Sequence, residues 1–90
     1  MIFAYNPKHV GDTLMVITAD DKSMKQATER KGNVARLTTE DGRVIGWNFF
    51  EISKEMTIEG IGQVQLTDEQ FAQLNELVQK AGFEDVLEKD

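Results

Sequence analysis

Five cations, Lys22, Lys25, Arg30, Lys31 and Arg36, crowd the middle of this chain, and three aromatic side chains, Trp47, Phe49 and Phe50, follow them. Proteins that hold unpaired RNA combine cations that follow the phosphates with aromatic rings that stack on the bases. That chemistry makes the five cations candidate RNA contacts. A plainer arrangement uses the same residues, with the cations solvated or turned toward acidic neighbours and the aromatics buried in a core. Neither an RNP-type nor a KH-type motif accompanies the stretch.

Other chemistry finds less support. His9 is the only histidine; as a catalytic base it would need Ser23 or Ser53 brought to it by the fold, and after Pro7-Lys8 it reads as a solvated loop residue. The carboxylates are many but fall on a helix surface and toward the end of the chain, whereas acid–base work needs two of them in one cleft. Asp20-Asp21 lacks the ligand spacing of a calcium loop and reads as a turn. Gly60 and Gly62 fit neither a dinucleotide fingerprint nor a P-loop. Without cysteine there is no disulfide and no thiolate zinc site. The chain reads as a binding or docking protein, not an enzyme, with no metal and no cofactor.

Ninety residues make one small domain, and hydrophobic and charged fractions of 40% and 29% are those of a folded globular chain. The net charge of −6 is uneven. Residues 22–50 carry +3, while residues 51–90, with three basic and ten acidic side chains, carry −7. The general field repels a polyanion, so any RNA contact has to be local. No apolar run nears the roughly 18 to 20 residues that span a bilayer, so no membrane partner is expected. The first residues lack the pattern of a secretory signal, which makes a cytoplasmic location the expectation.

The elements that must position these residues are mostly strands. Met1–Asn6, Thr13–Thr18, Val34–Thr38 and Val44–Ile52 are rich in β-branched and aromatic residues and bounded by turn formers. Ala19–Ser23 reads as a polar turn, Gln26–Lys31 fits a strand or one helical turn, and Met56–Ile58 and Val64–Leu66 fit two further short strands. Glu40-Asp41-Gly42-Arg43 is a hairpin signal. Gly46, inside the most apolar strand, points to a bulge or a close backbone approach. One helix is specified sharply over Asp68–Ala81. Thr67 and Gln70 form a capping box, Phe71, Leu74, Leu77, Val78 and Ala81 make one apolar stripe, and Gly82 with Phe83 suits a Schellman ending. Residues 1–83 are expected as a single α+β domain and 84–90 as a tail or the start of a linker.

The expected fold is therefore α+β: a curved, mainly antiparallel sheet with one C-terminal helix packed on it. The strands carry more apolar surface than that helix can cover. Thr13–Thr18 is apolar on both sides. Strict alternation along Val44–Ile52 puts Ile45, Trp47 and Phe49 on one side and Val44, Phe50 and Ile52 on the other. A sheet with one wet face would alternate apolar with polar. Either the sheet curls into an open barrel or a partner covers its second face, and Ile45, Trp47 and Phe49 are the candidate docking surface.

Taken in order, Tyr5-Asn6, Gly11-Asp12-Thr13-Leu14, Gly32-Asn33-Val34, Gly46-Trp47-Asn48-Phe49-Phe50 and Met56-Thr57-Ile58 form a recognisable series. Leu66-Thr67 leading into Phe71, Asn75, Leu77 and Gly82 completes it. Along its whole length the chain resembles the N-terminal domain of the YtpR-type tRNA-binding proteins of Gram-positive bacteria, related to the phenylalanyl-tRNA synthetase β chain. The resemblance implies an accessory domain preceding an OB-fold that is the expected tRNA binder, and it supplies no catalytic or ligand residues to carry over to this part. Its expected partner is that downstream OB-fold domain or another protein, with tRNA reached through the OB-fold. Direct RNA binding through residues 22–36 and a stand-alone protein-interaction domain are the alternatives.

Overall fold

The computed structural model describes residues 1–18 and 26–88. Six strands form one antiparallel sheet: β1 (Ile2–Tyr5), β2 (Thr13–Ile17), β3 (Gln26–Lys31), β4 (Val34–Thr39), β5 (Val44–Phe50) and β6 (Gly62–Val64). Their order across the sheet is β3-β4-β5-β2-β1-β6, so the sheet is open, with β3 and β6 at its edges. A single helical turn, α1 (Pro7–Val10), joins β1 to β2, and the long helix α2 (Asp68–Ala81) follows the last strand. The architecture is α+β, as the residue pattern requires. Among the described residues no helix is long and apolar enough to cross a membrane.

α2 has the bounds its sequence dictates. The Thr67 hydroxyl accepts from the Gln70 amide at 3.1 Å, and the Gln70 side chain accepts from the Thr67 amide at 2.9 Å. At the other end Gly82 takes the left-handed conformation (φ 106°) that a side chain would disfavour. Its amide bonds to the Gln79 carbonyl at 3.0 Å, and that of Phe83 to the Val78 carbonyl at 3.2 Å, the two bonds of a Schellman motif. The apolar stripe of α2 meets one face of the sheet. Leu14, Val16, Val34, Trp47, Phe49 and Val64 share a core there with Phe71, Leu74 and Val78, and the Phe3 ring meets Phe71 edge-on at 6.2 Å. We call this the helix face; the opposite one is the open face.

Several elements differ from their sequence expectation. Gln26–Lys31, ambiguous in isolation, is a strand because it pairs along its whole length with β4. Met56–Ile58 is not a strand. β5 stops at Phe50, Glu51 enters the left-handed region (φ 54°), and a 3-10 turn at Ile52–Lys54 buries Ile52 and redirects the chain. The last strand is Gly62–Val64, earlier than Val64–Leu66. In β5 the register slips by one residue, so that Leu37 faces Gly46 but Thr38 faces Val44. A bulge reverses the alternation of side chains beyond it. Val44 therefore packs against the same core as Trp47 and Phe49, and Ile45, though buried, stands outside that cluster. Strict alternation had grouped Ile45 with the two aromatics.

Residues 84–88, expected as part of a tail or the start of a linker, run back over the sheet. Leu87 is 4% exposed and belongs to the core. Asn75 on α2 grips its backbone twice: Nδ2 donates to the Leu87 carbonyl at 3.2 Å, and Oδ1 accepts from its amide at 2.7 Å. The packed unit thus extends at least to Leu87, beyond the boundary at 83. The polar turn expected over Ala19–Ser23 lies outside the described residues.

Candidate functional site

Alternation along β3 sends neighbouring cations to opposite faces. Lys31 lies on the helix face. Its Nζ donates to the Gly82 carbonyl at 3.1 Å and stands 4.6 Å from the Phe83 ring centre. Arg36, opposite Glu29 in the register, joins it there. Its guanidinium donates to Asp85 at 2.6 Å and to Glu29 at 3.4 Å, 5.0 Å from the centre of the same ring. Phe83 also meets Trp47 edge-on at 5.2 Å. Two cations and an indole thus hold the ring that ends α2, and a cation beside the last carbonyls complements the negative helix end. These two cations fasten the helix stop.

Arg30 points the other way. Its guanidinium lies 4.0 Å above the Phe50 ring centre on the open face, and its Nε donates to the Gly32 carbonyl at 3.0 Å. The five cations therefore do not form one stripe: Lys31 and Arg36 are on one face, Arg30 is on the other, and Lys22 and Lys25 lie outside the described residues. The three expected docking residues are internal, with Ile45, Trp47 and Phe49 exposed by 6%, 2% and 1%. α2 and residues 83–87 already cover Trp47 and Phe49. Of the two faces of the sheet, the open one remains accessible. There Ile2 and Ile17, paired across β1 and β2, are 43% and 37% exposed, and Ala4, Met15, Leu37 and Phe50 are half-buried.

A polar node, not singled out in the sequence, sits where β1, β2 and the 3-10 turn meet. The Asp12 carboxylate accepts from the Tyr5 hydroxyl at 2.7 Å, from the Ser53 hydroxyl, and from the Ser53 amide at 3.2 Å. The Ser53 hydroxyl bond, then the Tyr5 bond, hold the Asp12 carboxyl below its ordinary range, and the same bond to Asp12 raises the Tyr5 phenol. Beside it Glu51 accepts from Lys54 at 3.0 Å and from Asn33 at 3.1 Å, and its carboxyl is lowered chiefly by the Lys54 bond. His9, on α1, is exposed. Among the described residues no group of three or more histidines or carboxylates is placed to hold a metal ion. The node ties the chain together at a corner. Tyr5 and Gly11-Asp12-Thr13 were visible as features of the sequence, but their meeting with Ser53 depends on the fold.

Residues 21–90 match the family described as "Domain of unknown function (DUF4479)". The chain belongs to that family. It is also 31% identical over 87 residues to the "Putative tRNA-binding protein YtpR" of Bacillus subtilis (strain 168), an alignment covering 96% of this chain and 43% of that protein. The DUF4479 chain thus spans less than half the length of this relative. No solved structure matches it.

Proposed function

We propose that this chain is a non-catalytic accessory domain of a tRNA-binding protein, one that works by docking on that protein's RNA-binding domain in the cytoplasm. The observation that carries this reading is the similarity over 96% of the chain to a protein named for tRNA binding, of which the chain accounts for 43%. The rest of such a protein has room for a separate RNA-binding domain, and an OB-fold downstream of this one is the expected form. The open face supplies the surface. Its Ile2–Ile17 end is apolar and accessible, with Met15 beside it, the composition of the buried centre of an interface.

The test compares methyl and amide resonances of this chain alone with those of the longer protein that carries the OB-fold. Ile2, Met15 and Ile17 are expected to move, and identical spectra for these residues would remove the docking reading. A second reading, direct RNA contact through residues 22–36, finds its support in Arg30 alone among the described cations of that stretch. Lys31 and Arg36 are engaged with the end of α2.

A further inference from the structure

We propose that Arg30, Phe50 and Asn48 form a nucleotide-stacking site on the open face, which takes one or two unpaired nucleotides of an RNA. This goes beyond docking and uses the part of the face nearer β3, away from the Ile2–Ile17 end. It rests on the tRNA-binding reading only for the choice of RNA as the polymer.

The register sets Asn48, Ala35 and Arg30 in one row across β5, β4 and β3. Neighbouring strands lie about 4.8 Å apart, so the flanking residues of that row stand about 10 Å apart, with Ala35 buried between them beneath its neighbours. One row along, the Arg30 guanidinium carbon stands 4.0 Å above the centre of the Phe50 ring, and Nε donates to the Gly32 carbonyl. A guanidinium placed this way offers its outer face to a base and its remaining N–H groups to a phosphate. Among the described residues nothing hydrogen-bonds the half-buried Asn48 side chain. Its amide presents a donor and an acceptor side by side, the pair that reads a base edge.

Charge points the same way. In a chain of net charge −6, Glu29 is the only carboxylate on any of the six strands, and it lies on the helix face with Arg36. Arg30 is the one charge on the described strand residues of the open face. Glu51, next to Phe50, is engaged by Asn33 and Lys54. Among the described residues, the strands thus present no carboxylate on this face to repel a phosphate. Two ordinary features of unpaired-RNA recognition, an aromatic–guanidinium platform and an amide for the base edge, share it.

The experiment titrates the isotope-labelled chain with a single-stranded RNA hexanucleotide, following the Arg30 Nε–H and Asn48 side-chain amide resonances at two salt concentrations. Both are expected to shift and saturate together. Arg30→Ala and Asn48→Ala should each weaken binding about tenfold, and Arg30→Lys, which keeps the charge but not the plane, nearly as much. Lys31→Ala should change it less than about twofold. With a single phosphate contact, log K should fall with log salt at a slope near −0.7. The backbone spectrum of each variant shows whether it is folded. Shifts centred on Lys31 and Arg36, or no binding at the lower salt, would overturn the site. If Arg30 and Asn48 respond to the OB-fold domain and not to RNA, the site is a protein contact and docking stands. If RNA binds here while Ile2 and Ile17 ignore that domain, docking fails and the site stands.

Discussion

Replacing Leu87 by alanine removes most of a side chain that is 4% exposed and packed in the same core as Trp47 and Val78. Buried leucine-to-alanine changes cost about 2–5 kcal/mol, and less where the surroundings can close over the gap. Leu87 is held by one short segment of irregular chain, which can settle inward, so a loss of about 2–3 kcal/mol is expected. Asn75→Ala removes both side-chain bonds to the Leu87 backbone. At about 1 kcal/mol for each bond, it should cost about 1–2 kcal/mol. Because both changes loosen the same segment, the double variant should lose less than the two losses added together. Trp47 is the only tryptophan and sits 2% exposed against Phe83, so its fluorescence reports urea unfolding directly. The midpoint should fall while the slope stays constant. If Leu87→Ala lost less than about 0.5 kcal/mol, the figure for ordinary surface changes, residues 84–88 would not be held as described. Additive losses would show that Asn75 does not act through Leu87.

Gly46→Ala should be costly for a different reason. A Cβ there would stand 2.8 Å from the Val16 carbonyl oxygen, backbone that cannot swing aside, so a loss of about 1–3 kcal/mol is expected, and an unchanged urea midpoint would refute the close approach. Thr67→Ala removes the N-cap of α2 and should cost about 1 kcal/mol in the same assay. The Asp12 carboxyl should titrate below its ordinary 3.8 in a carbon-detected NMR titration, and Ser53→Ala should move it back up. Since its folded value is depressed, Asp12 adds stability that is complete above 3.8 and lost as pH falls through the folded value. Asp12→Asn should therefore flatten the acid limb of the stability curve, and an unaltered limb would refute the node.

What could be read without coordinates was what depends on near neighbours. The cap at Thr67, the apolar stripe and the stop at Gly82 all act within one helix, and α2 has the bounds they dictate. The hairpin at 40–43 is equally local. Gln26–Lys31 could not be assigned because QATERK has no strong preference; pairing with β4 decides it. The bulge at Ile45 was also beyond reach. Gly46 gave warning of an irregularity, but which residue changes face is set by β4 across the sheet. Leu87 looked like part of a polar tail because Asn75, which holds it, lies a whole helix turn and a reversal earlier in the chain. For the candidate contacts, the sequence identified the basic stretch but not its division. Whether a cation on β3 or β4 meets solvent, a ring or a carboxylate depends on what the far side of the fold brings to it, and Asp85 and Phe83 came from the far end of the chain.

The two rims of the sheet carry a last consequence. An unpaired strand edge invites a strand from another molecule, and the usual defences are brevity and charge. β6 is three residues long, too short to seed a ladder, while β3 ends in Glu29, Arg30 and Lys31. A foreign strand laid along β3 would have to strip water from all three and disturb the grip of Lys31 on Gly82 and of Glu29 on Arg36. The charges on β3 thus also disfavour edge-to-edge pairing with another strand.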